Sequence, residues 1–193
     1  MTNIELLERF NQRASYLEDS TFLAWIKKRG NKQPNLERLF AGNWLVYEGL
    51  ERESLDSFFL NLRPLLQGRD RYSVRQIFEI ISSLPDPSNE VKSVGLQLQG
   101  QFQELMNRPT WLRLGDRSLT NQTLLETVLY GRFAHDDPKY IDDFDKLTKS
   151  GMFSLFSFIS FINLVTQLTD HIRRLRMLNE YAIDVLSGAE KGA

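Results

Sequence analysis

The residues best suited to chemistry in this sequence lie in one short stretch, Tyr130–Lys139. It contains Arg132 and His135, which are three positions apart and would share one face of a helix. An arginine fork can hold a phosphate, and an imidazole exchanges a proton near neutral pH. The two residues are therefore candidate catalytic residues for a site that binds a phosphodiester and moves a proton without a metal ion.

Four neighbouring side chains are candidate binding residues of the same site. Asp136 and Asp137 directly follow the histidine and are placed to orient its ring. Tyr130 and Lys139 lie at the two ends of the stretch. A structural interpretation competes, because a histidine near a helix C-terminus is stabilised by the helix dipole and an aspartate before Pro138 is a good helix cap. The sequence favours this structural interpretation.

A second basic cluster, formed by Arg173, Arg174 and Arg176, is a further candidate binding region. It follows a long uncharged run and could contact RNA phosphates. However, the chain has 24 basic and 25 acidic residues, and its net charge is −1. This balance favours a solvated helix face over a nucleic-acid clamp, and nothing in the sequence points to DNA.

Several classes of site are excluded or disfavoured by composition. The chain has no cysteine, which removes disulfides, thiolate zinc sites and a cysteine nucleophile. It has two histidines, His135 and His171, too few for a three-histidine metal site. The glycine-rich nucleotide motifs and the serine hydrolase elbow are absent. The carboxylates of Asp136, Asp137, Asp142, Asp143 and Asp145 could hold Mg²⁺ or Ca²⁺, but the last three are more simply the solvated face of a helix. Neither a metal ion nor another cofactor is therefore expected.

One family resemblance rests on the same region. The pattern Leu124-Leu125-x-x-Val128-Leu129-Tyr130-Gly131-x-x-x-His135-Asp136 precedes a charged helix and a long apolar helix. Over residues 121–186 this resembles the HEPN-type helical domains. The resemblance implies a metal-independent RNase, a toxin or an anti-phage component, or else an inactive binding module of the same fold. Only Arg132 and His135 match catalytic positions, and fewer residues separate them than in the family motif.

The elements that must position these residues are predicted to be helices nearly throughout. Apolar side chains recur at helical spacing along most of the chain. We expect an all-α, single-domain bundle of about seven to nine helices around a long final helix over residues 152–186, with one short β-hairpin near 111–119. Local signals add four expectations, namely capping boxes at Thr2–Glu5 and Ser73–Gln76, a helix cap at Asn121, and a kink or end of a helix at Pro64.

The boundaries of the predicted domain follow from breaks in these patterns. Residues 1–188 are expected to form the domain, with a candidate sub-boundary at 85–88 and a frayed tail at 189–193. The run Ser150–Thr169 carries no charge, yet polar residues recur along it, which predicts a buried helix and no membrane span. The first residues lack the features of a signal peptide, so a cytoplasmic protein is expected.

Three functional hypotheses follow. The first is a non-catalytic interaction module that associates with itself as a homodimer or binds a protein partner, because the charge is balanced and aromatic residues are plentiful. The second is a HEPN-like RNase that acts on RNA through Arg132 and His135. The third is a small-molecule binder with a pocket among the C-terminal aromatic residues Phe153, Phe156, Phe158 and Phe161.

Overall fold

The computed structural model describes residues 1–24, 52–66, 71–85, 89–134, 137–149 and 155–192. Its described part is mostly α-helical with one small antiparallel sheet, which confirms the predicted fold class. In chain order the elements are α1 (Asn3–Glu18), α2 (Arg52–Leu66), α3 (Val74–Ser82), α4 (Asn89–Asn107), β1 (Pro109–Leu114), β2 (Arg117–Thr120), α5 (Asn121–Val128), a π-helix (Leu129–Ala134), α6 (Pro138–Lys149) and α7 (Leu155–Lys191).

The two strands form the predicted hairpin, which extends slightly beyond 111–119. They pair in antiparallel register, with Arg113 opposite Ser118 and Leu114 opposite Arg117. Gly115 lies in the turn at φ 61°, a left-handed conformation that glycine adopts without a steric penalty. The side chain of Arg117 reaches from β2 to Asp143 of α6 in an ion pair of 2.9 Å, and this pair fixes the hairpin against that helix.

The start of α1 forms the predicted capping box. The backbone N–H of Thr2 donates to Glu5 Oε2 at 2.7 Å, and that of Glu5 donates to Thr2 Oγ1 at 3.2 Å. Two of the donors that a helix N-terminus leaves unpaired are therefore satisfied reciprocally. The apolar residues that follow at helical spacing are all buried, and they are Leu7, Phe10, Ala14 and Leu17.

Pro64 does not end its helix, contrary to one of the two predicted outcomes. Helix α2 continues through it to Leu66. A proline lacks the backbone N–H that would bond to the carbonyl four residues earlier. The fully buried side chains of Leu62 and Leu65, on either side of the proline, favour continuation because burial of each stabilises the helical conformation.

Two predicted caps differ in the structure. Ser73 is the N-cap residue of α3, but its side chain makes no capping bond, and its buried hydroxyl has no hydrogen-bond partner within the described part of the chain. The N-cap of α5 is Thr120, whose Oγ1 accepts from the N–H of Thr123 at 3.2 Å, and not Asn121. The amide Nδ2 of Asn121 instead donates at 2.8 Å to the carbonyl of Leu105, near the end of α4.

The chain divides into two compact units. The first contains Met1–Glu18, Asn61–Gln103 and Leu168–Ala193, and the second contains Asp19–Leu60 and Glu104–Gln167. The predicted sub-boundary at 85–88 thus lies within a continuous segment of the first unit. Helix α7 continues to Lys191, past the predicted domain end at residue 188.

Each unit has its own buried apolar side chains. In the first unit they come mainly from α1, α3 and the later part of α7, where Arg176 of α7 also pairs with Glu18 of α1 at 2.9 Å. In the second unit, four phenylalanines lie near one another (Phe22, Phe58, Phe59 and Phe161). Among the described residues, no helix combines the length and the hydropathy needed to cross a bilayer.

Candidate functional site

The stretch with the candidate catalytic residues begins in a π-helix. Helix α5 passes directly into this wider turn at Leu129, and the turn ends at Ala134. Turns of this kind are rare and are often found at functional sites. Gly131 lies in the turn, and a Cβ atom there would overlap the carbonyl oxygen of Tyr140 and lie 2.8 Å from Phe144 Cβ. Only glycine therefore lets the π-helix and α6 approach this closely.

The side chains around this contact form a network centred on Tyr140. Its hydroxyl donates to Glu126 Oε2 at 2.9 Å, and Gln122 Nε2 donates to the other oxygen of Glu126 at 3.0 Å. The rings of Tyr130 and Tyr140 lie 5.2 Å apart, and the Lys139 ammonium is 5.7 Å from the centre of the Tyr140 ring. Both oxygens of the Glu126 carboxylate accept hydrogen bonds. The network is therefore better suited to holding α5 against α6 than to transferring protons.

Burial and the neighbouring carboxylate raise the pKa of Tyr140 to about 12, from an ordinary value of 10.0. Desolvation makes the largest contribution, and the hydrogen bond to Glu126 follows, since both disfavour the phenolate. Tyr140 is therefore a neutral donor throughout the physiological range.

This pKa predicts a loss of stability at alkaline pH. The folded protein keeps Tyr140 protonated while the unfolded chain ionises it, so the free energy of unfolding should fall between pH 10 and 12. Chemical denaturation at several pH values in this range should show that the free energy of unfolding falls less for Tyr140→Phe than for the natural chain. The difference between their phenolate absorbance titrations reports Tyr140 alone, and Glu126→Gln should move its midpoint back toward 10. A midpoint near 10 in the natural chain would contradict the network.

Of the predicted site residues in this stretch, Tyr130 and Lys139 lie against Tyr140, and the other four fall into three groups. Arg132 lies on the π-helix, and its side chain is outside the described part. His135 and Asp136 lie outside the described residues altogether. Asp137 caps α6 by accepting from the N–H of Lys139 at 2.9 Å, which is the structural role that the sequence favours for it.

The three arginines of the second candidate cluster are engaged by carboxylates of their own unit. Arg173 and Arg174 both pair with Asp170, at 2.9 and 3.0 Å. Arg176 bonds to Glu18 of α1 and to Glu180 of its own helix. These ion pairs agree with a charged helix face, while contact with RNA phosphates stays a prediction.

Neither Glu126 nor Tyr140 is identified as a site residue from the sequence, and neither is the close approach of α6 at Gly131. The spacing of Glu126 and Tyr130 by one helical turn was available as a signal. The contact of Glu126 and Tyr130 with Tyr140 has no such signal in the sequence, because it depends on how α6 packs. The predicted pocket of C-terminal aromatics also stays a prediction, since Phe161 is fully buried and the side chains of the other three are outside the described part.

Comparison with known proteins gives no match to a family model, to a curated protein or to a solved structure.

Proposed function

We propose that this chain is a non-catalytic helical module that functions by associating with a second copy of itself. The proposal is carried by one observation, namely that Met177 and Tyr181 stand exposed one turn apart on α7, at 51% and 65% of their full accessibility. Large apolar side chains grouped on a soluble surface often mark an interaction site. Tyrosine and methionine are also among the residues enriched in the centres of protein interfaces.

The charged residues of the described part support the same role. The arginines of α7 are engaged in ion pairs within the chain, and the carboxylate of Glu126 is satisfied on both oxygens. Such pairs shape and solubilise a surface but leave little reactivity for catalysis. We therefore assign binding to the exposed apolar pair on the final helix, which includes the most exposed large apolar side chain of the described part, Tyr181.

The test is the mass of the particle in solution as a function of concentration. Sedimentation velocity from about one to several hundred micromolar should show a shift from monomer to dimer. Tyr181→Ser should raise the dissociation constant by about tenfold, because it removes a large buried contact at each of two symmetric places. Tyr16→Ser is the matched control, since Tyr16 is 55% exposed on α1. A monomer at every concentration would overturn the proposal.

A second candidate function is a HEPN-like, metal-independent RNase that uses Arg132 and His135. The observation in its favour is the π-helix that carries Arg132 and ends directly before His135. Arg132 would bind the scissile phosphate, and His135 would act as the general acid or base.

This candidate predicts cleavage of a mixed RNA pool in the presence of EDTA. His135→Ala should lower the rate by about 10²- to 10⁴-fold, the usual contribution of general acid–base catalysis. His171→Ala is the matched control, because His171 is the other histidine of the chain and lies on α7. Equal cleavage by the natural chain and His135→Ala would reject the candidate, as would no cleavage at all.

A further inference from the structure

The exposed pair on α7 belongs to a longer pattern on the outer face of that helix. Residues there recur with alternating spacings of four and three, the spacing at which one helix packs along another. We call this row the outer seam, and it consists of Asp170, Arg174, Met177, Tyr181, Asp184 and Gly188. The side chains from Arg174 onward are exposed. The opposite face carries the same spacing in buried residues, from Leu168 to Ala182.

The outer seam is complementary to a reversed copy of itself. Met177 and Tyr181 lie equally far from Asn179 along the helix, and so do Arg174 and Asp184. An antiparallel copy with its two-fold axis at the level of Asn179 therefore places Met177 opposite the partner's Tyr181. The same axis places Arg174 opposite the partner's Asp184, and each contact occurs twice.

The charges also select this orientation. A parallel copy would place Arg174 beside its own equivalent and Asp184 beside its own, and like charges repel. In the single chain, Arg174 shares Asp170 with Arg173, so Asp170 keeps one partner when Arg174 turns outward. Asp184 is exposed and forms no ion pair within the described part of the chain, so it is available to accept a cation.

We propose that the outer seam is the surface through which two copies of this chain associate, with their α7 helices antiparallel. This inference rests on the proposed self-association and specifies its geometry. The apolar layers of Met177 against Tyr181 lie at the centre, and the Arg174–Asp184 pairs lie at the two ends.

Charge reversal tests the paired ends. Arg174→Glu and Asp184→Arg should each raise the dissociation constant by about tenfold, because each places like charges opposite each other twice. The double variant with both changes should associate as the natural chain does, and so should an equal mixture of the two single variants. Circular dichroism confirms that the variants remain folded. The proposal that the outer seam forms the interface would be overturned if the single variants associate normally. It would also be overturned if the double variant does not regain the dissociation constant of the natural chain.

Cysteine cross-linking tests the orientation, and the natural chain contributes no background because it has no cysteine. An equal mixture of Met177→Cys and Tyr181→Cys should form mostly the mixed disulfide dimer under mild oxidation, since those positions face each other. Gln97→Cys, exposed on α4, is the control. Dimers linked mainly between identical positions would indicate a parallel pair and overturn the geometry.

The two proposals fail in different ways. If the natural chain stays monomeric, both self-association and the outer seam are rejected. If the natural chain dimerises while the seam variants and Tyr181→Ser change nothing, self-association stands and the seam is rejected in favour of another surface.

Discussion

Replacing Gly131 by alanine should lower the free energy of unfolding by about 2–3 kcal/mol. The new methyl group would overlap the carbonyl oxygen of Tyr140 and lie 2.8 Å from Phe144 Cβ. The first of these is backbone, so the clash can be relieved only if α6 moves away from the π-helix. Helix propensity acts in the opposite direction, but alanine gains only about 1 kcal/mol over glycine there.

The matched control is Gly100→Ala. Gly100 lies inside α4, and a Cβ atom there would meet nothing within 4 Å. The same substitution should therefore stabilise the chain by about 0.5–1 kcal/mol. Urea denaturation of both variants measures the difference. If Gly131→Ala is as stable as the natural chain, the close approach of the π-helix and α6 is wrong.

The effect on the candidate site should accompany the effect on stability. Movement of α6 would carry Tyr140 away from Glu126, and the pKa of Tyr140 would fall from about 12 toward its ordinary value. The phenolate titration of Gly131→Ala should therefore begin at lower pH. Gly100→Ala should leave the titration unchanged.

The sequence is a good guide where the interactions are local. Thr2 and Glu5 are three residues apart, and their reciprocal bonds need nothing else from the chain. The hairpin likewise depends on two adjacent strands and on Gly115 in the turn. Asp137 before a proline caps α6 for the same local reason. Each of these is a property of a few consecutive residues, so it can be predicted from their types.

The sequence is a poorer guide where packing with distant residues decides the local structure. Asn121 is a good cap by type, yet its amide bonds to the carbonyl of Leu105, and Thr120 becomes the cap. Ser73 occupies the predicted cap position, but its hydroxyl is buried without a capping bond. Pro64 stays inside a helix because the leucines around it are buried.

The candidate site shows the same division. The sequence identifies the stretch from Tyr130 to Lys139, because Arg132 and His135 stand three residues apart in it. It does not identify the π-helix, because such turns are rare and occur within stretches that otherwise have an α-helical pattern. Within this turn, α6 approaches Gly131 too closely for any Cβ atom. The bond between Tyr140 and Glu126 depends on that approach and is therefore visible only in the folded chain.

The second large effect is expected at Phe59. Its ring is fully buried and lies 5.2 Å from that of Phe58 and 6.1 Å from that of Phe161, which comes from the early part of α7. Phe59→Ala should cost about 3–5 kcal/mol, because it removes the apolar contacts and leaves a cavity between helices. That is a large fraction of the stability of a typical domain.

The neighbouring residue provides the control for this prediction. Leu60 follows Phe59 on α2 but is 51% exposed, so Leu60→Ala should change the free energy of unfolding by no more than about 0.5 kcal/mol. If Phe59→Ala does not fold, Phe59→Leu should still show a loss of about 1–2 kcal/mol. Similar stabilities for the variants at 59 and 60 would mean that Phe161 is not held by this aromatic cluster. The early part of α7 would then be free to line a pocket, as the small-molecule hypothesis requires.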